Sequence, residues 1–257
     1  MAGSSCSGVI AHAGSQAQQL ELVIFDCDGV LVDSEIISNE VLARALTREG
    51  LPTMLIEARR DYQGLLLTDV VSRAQARLGR ALSPGWLAEF ERDRAAAFRN
   101  ELKPVEGAAE AVTAIAAARI AVCVASQGSL EKTRRSLELT GLRSLFPERS
   151  LFSAESVPRG KPHPDLFLQA ASVMGATPAR CAVVEDTASG VTAAVAAGMR
   201  TIGYTGDSDP VALQRAGAEL LDSLDQLPAL LQLQSRLSAK RAEAGARRVR
   251  DGDGGGS

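Results

Sequence analysis

The sequence predicts an α/β fold, a doubly wound parallel sheet with an inserted α-helical block. Three observations predict it. From about residue 102 to residue 204, short apolar runs alternate with helical stretches, the pattern of parallel strands covered by helices on both faces. One further strand-like run, Leu22-Val23-Ile24-Phe25, stands far upstream of the others and is apolar and β-branched enough to be a buried strand. Between it and the rest, residues 36–100 hold helical patterns and no convincing strand, so this block reads as an insertion. The predicted organisation is a disordered leader over 1–20, an α/β core over 21–35 and 101–232, a helical insertion over 36–100, and a disordered tail over 238–257.

Each element has a local reason. After Glu35 a helix is predicted from Ile37, Val41, Leu42 and Leu46, which share one face; Gly50 and then Pro52 end it. Two more helices are predicted in the insertion, roughly over 65–78 and 84–98. Ser83 is the expected N-cap of the second, with Pro84 in its first turn. A helix over 107–118 precedes the strand Ile120–Ala125. The turn Ser126-Gln127-Gly128-Ser129 then leads into a helix that Gly141 stops. A short strand near Leu151-Phe152 follows, then a helix from Pro164 to about Gly175. The strand Cys181–Val184 runs into Glu185-Asp186, a helix spans 189–197 and stops at Gly198, and a last strand covers Thr201–Tyr204. There is no internal repeat.

Composition narrows the function class. A chain of 257 residues, 46% hydrophobic, suits one large domain or a core with a smaller insert. The net charge of -3 gives no basic field for nucleic acid. No apolar run approaches the roughly 20 residues of a membrane span. The four cysteines (Cys6, Cys27, Cys123, Cys181) show neither metal-ligand spacing nor a disulfide framework, which fits a reducing compartment. Residues 1–20 lack Lys and Arg, unlike a secretory or transit signal. A cytoplasmic location is expected. The Arg247, Arg248 and Arg250 cluster reads as a solvated tail.

The chemistry concentrates at strand ends. Asp26 and Asp28, one residue apart, leave the first strand on the same side, and Gly29 lets the chain turn. Two adjacent carboxylates repel. Either they form an Asp-rich turn, or a hard divalent cation with oxygen ligands stabilises them. Ser126 either caps a helix or, with free backbone N–H groups, binds a phosphoryl oxygen. Lys161 sits in Gly160-Lys161-Pro162-His163-Pro164, where Pro162 keeps it out of the helical region and aims it. Glu185-Asp186 is a second acidic pair at a strand's C-terminal end, the edge where open α/β sheets bind ligands.

The run Asp26-Cys27-Asp28-Gly29-Val30-Leu31-Val32-Asp33-Ser34-Glu35 resembles the first motif of the haloacid-dehalogenase-like superfamily, in its β-phosphoglucomutase and sugar-phosphate phosphatase branch. Ser126, Lys161 and Glu185-Asp186 match the remaining motifs in order, so the resemblance spans about residues 22–230. It implies a helical cap over the active site and adjacency of the first and fourth strands, which would bring both acidic pairs together. It also implies a mechanism. Asp26 is the nucleophile and forms an aspartyl-phosphate. Mg²⁺ is bound by Asp26, the backbone carbonyl of Asp28 and Asp186, with Glu185 supporting it directly or through water. Asp28 is the general acid and base. Ser126 holds a transferring oxygen, and Lys161 neutralises charge.

Dehalogenases of this superfamily lack an aspartate at the position of Asp28, because a leaving halide needs no proton. Phosphoryl chemistry is therefore expected, and the implied reaction is hydrolysis of a small phosphorylated metabolite such as a sugar or sugar-acid phosphate. The alternative is a phosphomutase. Family mutases carry a histidine soon after the first motif and a basic residue in the cap loop; Ser38 and Leu67 stand in those stretches. Gln63 and Gly64 of that loop are expected to face substrate, and Arg59, Arg60 and Tyr62 are further cap candidates. The resemblance also implies a monomer.

Overall fold

In a computed structural model the described residues are 19–63, 65 and 67–233. The leader up to residue 18, the expected tail and Gly64 lie outside them.

Six parallel strands form one sheet in the order β3-β2-β1-β4-β5-β6. They are β1 Leu22–Phe25, β2 Ala121–Ser126, β3 Leu151–Ser153, β4 Cys181–Glu185, β5 Arg200–Tyr204 and β6 Glu219–Leu221. β1 lies at the centre, fully buried along its length. Its alternate residues serve two cores: Val23 and Phe25 pack into one hydrophobic cluster, Leu22 and Ile24 into another. That is the period-2 consequence of a sheet covered on both faces. Fully burying each such side chain stabilises the fold by roughly 1.5–3 kcal/mol.

Register decides what meets at the sheet's edge. Phe25 pairs with Val124 of β2 and with Val184 of β4. The adjacency of the first and fourth strands is therefore real. Asp26, whose N–H donates to Val184 O at 2.9 Å, emerges beside Glu185-Asp186 on one side and Ser126 on the other.

Four helices fill the insertion between β1 and β2: α1 Glu35–Arg48, α2 Leu55–Tyr62, α3 Leu67–Leu78 and α4 Trp86–Glu101. The sequence did not announce α2. Only Ala58 and Tyr62, one turn apart, are buried in it, too few apolar positions to show a period. The start expected for α4 is also corrected. Ser83 does not cap it; its backbone N–H and hydroxyl both donate to the Glu49 carboxylate, at 2.9 and 2.8 Å. The helix instead begins after Gly85, whose φ of +84° is a left-handed conformation that suits glycine. Likewise α3 starts at Leu67 rather than Leu65.

The remaining helices are α5 Ala108–Ala117, α6 Leu130–Leu139, α7 Asp165–Met174, α8 Ala188–Ala196, α9 Pro210–Ala216 and α10 Leu227–Leu230. The first four lie where the sequence placed them, except that Pro164 occupies the N-cap of α7, not its first turn. α9, β6 and α10 were not foreseen. β6 is three residues long and two of them are exposed, so it lacks the apolar run that marked the other strands.

Candidate active site

Asp26, Lys161 and Glu185 form a buried ion-pair chain. The Lys161 ammonium donates to Asp26 Oδ1 and to Glu185 Oε1, each at 2.5 Å. The lysine is aimed from its backbone: its N–H donates to Gln127 Oε1 at 2.9 Å, tying the loop after β3 to the turn after β2. The Lys161–Pro162 peptide is cis.

Glu185 is spent on structure. Its other oxygen, Oε2, accepts the Thr187 N–H and hydroxyl, both at 2.8 Å. With both oxygens engaged, Glu185 is the clamp for Lys161. The expected support of a metal, directly or through water, would have to share these oxygens with Lys161 and Thr187.

Asp186, next along, is different. Ser208 donates to its Oδ2 at 3.4 Å, while its Oδ1 is buried without a hydrogen-bond partner. Asp26, Glu185 and Asp186 together present three carboxylates to one ammonium. Burial above all, then the neighbouring charges of Glu185 and Asp26, pushes the Asp186 carboxyl well above the usual range. Burial likewise raises Asp26 to about 7, with the Glu185 and Asp28 carboxylates adding to it against the pull of Lys161. Excess negative charge beside an orphaned carboxylate oxygen is what a divalent cation would relieve. Among the described residues no three His, Cys, Asp or Glu side chains are gathered to hold a metal by themselves. A site of two carboxylates, a backbone carbonyl and water is nevertheless within Mg²⁺ practice. Gly29 is what admits Asp186: a Cβ there would come within 2.1 Å of Asp186 Oδ2, and its φ is +78°.

The Asp28 carboxylate points elsewhere. Ser34 Oγ donates to its Oδ1 and Lys132 Nζ to its Oδ2, both at 2.7 Å. Burial pushes this carboxyl up, but Lys132 and Ser34 outweigh it and its pKa falls below the ordinary value of 3.8. Ser126 is buried at the end of β2, and its hydroxyl oxygen accepts the Gly128 N–H at 3.0 Å. The next three residues, Gln127, Gly128 and Ser129, line the cavity instead.

That cavity, about 520 Å³, opens between the strand ends and the inserted helices. Asp26, Asp28 and Lys161 lie on its core side. Ser38, Tyr62, Gln63, Leu67, Phe90 and Arg94 line it from the insertion. A second cavity of about 660 Å³ holds Asp186 and is bordered by Arg59, Arg60 and Asp207; Gln63 and Glu35 border both. Arg59 is ion-paired with Asp207 at 3.4 Å. Lys132 and Arg94 were missed from the sequence. Each is one charged residue in a helical stretch, with no local signal separating it from a solvated face.

Residues 20–198 match the haloacid dehalogenase-like hydrolase family. The chain belongs to this family. As such a hydrolase it is similar to the 6-phosphogluconate phosphatase of Escherichia coli, at 29% identity over 82% of this chain and 95% of that one. Hexitol phosphatase B of the same organism is 32% identical over 73% of this chain and 85% of its own length. Among solved structures, a haloacid dehalogenase family hydrolase from Deinococcus radiodurans with bound phosphate and sodium aligns with a TM-score of 0.72, at 32% identity over 84% of this chain and 97% of that one. No described helix is long and apolar enough to cross a membrane.

Proposed function

We propose that this hydrolase is a Mg²⁺-dependent phosphatase of a small sugar or sugar-acid phosphate, acting through a phosphorylated Asp26. The observation that carries the reading is the gathering of Asp26, Asp28 and Lys161 in one cavity, with Asp186, whose Oδ1 is orphaned, in the adjoining cavity beside Gly29. The relatives named as 6-phosphogluconate and hexitol phosphatases support the substrate class.

Asp26, the Asp28 carbonyl and Asp186 would hold Mg²⁺, which supplies positive charge against a carboxylate and a phosphate that otherwise repel. Asp26 attacks phosphorus, and its phosphorus–oxygen bond forms as the ester bond breaks. Lys161 stays charged throughout: burial disfavours its ammonium, but Asp26 and Glu185 outweigh burial and raise its pKa. Its charge therefore offsets that of the phosphoryl oxygens. Lys132 and Asp28 share one proton, resident on the ammonium, and this pair protonates the leaving oxygen. Asp28, ionised, then takes a proton from the water that cleaves the acyl phosphate. Ser126, buried behind the lining, accepts the Gly128 N–H and so holds the turn Gln127-Gly128-Ser129 that faces the phosphoryl group.

The inserted helices act as the cap over this chemistry. Ser38 and Leu67 line the cavity where a mutase would place a histidine and a basic group, which supports hydrolysis over phosphoryl return. The described cysteines are free, in keeping with a reducing, cytoplasmic setting. The test is a panel of sugar phosphates with Mg²⁺, reading both free phosphate and isomerised ester. Free phosphate is expected, falling by several orders of magnitude in Asp26→Asn. Isomerised product in place of phosphate, or wild-type turnover by Asp26→Asn, would overturn the reading.

A further inference from the structure

The phosphatase reading says where the phosphoryl group sits and leaves the other end of the substrate open. Three cations line the cavity: Lys161, Lys132 and Arg94. Lys161 is neutralised by Asp26 and Glu185, and Lys132 by Asp28. Arg94 is different. Among the described residues it donates to no carboxylate or carbonyl, and its nearby Asp93 is already paired with Arg48 at 2.6 Å.

Arg94 is nevertheless held. Its guanidinium carbon lies 5.1 Å from the centroid of the Phe90 ring. Phe90 in turn stacks on Trp86, with centroids 5.6 Å apart and planes within 4°. The three residues recur every fourth position on α4, so one helix face builds a ladder from two buried rings to a guanidinium. Such a group is always charged and presents a planar fork suited to a carboxylate. Stacking limits its motion before any ligand arrives, so less ordering is lost on binding.

The rest of the wall narrows the choice. Glu35, Glu91 and Glu155 also line the cavity, and they favour hydroxyls and repel an anion. A substrate carboxylate therefore has one unpaired cation to meet. Arg94 shares this cavity with Asp28 and Lys161.

We propose that Arg94 receives a carboxylate on the substrate's carbon skeleton, making this a phosphatase of phosphorylated sugar acids. This rests on the phosphatase reading. Two esters that differ only at one terminal carbon test it: 6-phosphogluconate, with a carboxylate, and glucitol 6-phosphate, with a hydroxymethyl group. Wild type is expected to prefer the acid. Arg94→Gln should raise KM for the acid about 10–100-fold, the loss of one charge-assisted pair, with kcat and the glucitol ester changed less than about 3-fold. Arg94→Lys should recover part of the loss, since it keeps the charge without the fork. An equal change for both esters, or a wild-type preference for the alcohol, overturns the proposal.

Calorimetric binding of both esters to Asp26→Asn, with and without Arg94→Gln, separates the two readings. If wild type hydrolyses neither ester, the phosphatase reading fails. An acid-selective loss of affinity then still supports the role of Arg94, and equal affinities refute it.

Discussion

Lys132 Nζ lies 2.7 Å from Asp28 Oδ2, across 104 residues of chain. This pair sets the charge of the residue proposed as acid and base. Without Lys132, burial would raise the Asp28 carboxyl.

Lys132→Met should therefore move the acid limb of the hydrolysis of phosphorylated Asp26, the step in which ionised Asp28 is the base, to higher pH. The rate near neutral pH should fall about 10-fold or more and recover partly toward alkaline pH. The stability consequence has a definite sign. A depressed carboxyl contributes stability that is present above its unfolded pKa, near 3.8, and is lost as pH falls through its folded value. The stability gap between wild type and Lys132→Met should accordingly close in acid. A pH–rate profile that does not move would assign Lys132 to packing alone.

Asp28→Asn separates proton transfer from metal binding. The carboxylate is committed to Ser34 and Lys132, so Mg²⁺ affinity should be retained while turnover falls about 10²–10⁴-fold. A sugar ester, whose alkoxide needs a proton, should lose more in the first step than a nitrophenyl ester. With the nitrophenyl ester, phosphorylated Asp26 should accumulate, because its hydrolysis still needs a base. Rapid-quench measurement with both esters checks this; equal first-step losses would make Asp28 chiefly structural.

Metal linkage should depend on pH. The Asp26 carboxyl titrates near 7 in the fold against about 3.8 unfolded. The folded state binds that proton more tightly, so its contribution is fully present below pH 3.8 and is lost as pH rises toward 7. Mg²⁺ competes with the same proton, so its thermal upshift should be larger at about pH 8 than at about pH 5.5. Asp186→Asn should remove most of the upshift. Equal upshifts at both pH values, or an upshift that survives Asp186→Asn, would place the cation elsewhere.

Gly190→Ala tests the clamp on Lys161. A Cβ at Gly190 in α8 would approach Glu185 Oε1 to 1.8 Å, and Glu185 is fully enclosed with nowhere to move. Displacing it should cost about 1–3 kcal/mol of stability, as overpacking does, and lower kcat about 10-fold or more through Lys161. Urea unfolding and steady-state kinetics check both effects. Unchanged kcat would mean that Lys161 does not depend on Glu185 for its place.

Much of the architecture was legible in short windows. Leu22–Phe25 and Cys181–Val184 read as strands because a buried strand needs only a few consecutive apolar residues. The acidic pairs were visible because each directly follows such a run. Where a contact from afar intervened, local reading failed. Ser83 had the form of a helix cap, but Glu49, 34 positions earlier in the chain, takes both its hydrogen bonds.

Sequence by itself determined the α/β class, the helical insertion, and two acidic pairs at strand ends that could hold a cation. All of these rest on periodicity, turn chemistry and order along the chain, which act over a few residues. Only the tertiary structure decided that β1 lies between β2 and β4, that Glu185 clamps Lys161 while Asp186 Oδ1 is left without a hydrogen-bond partner, and that Lys132 and Arg94 face the same cavity. A helix's charged face carries no mark of what it will meet. An ion pair spanning 104 residues forms only when sheet order and helix packing bring its ends together.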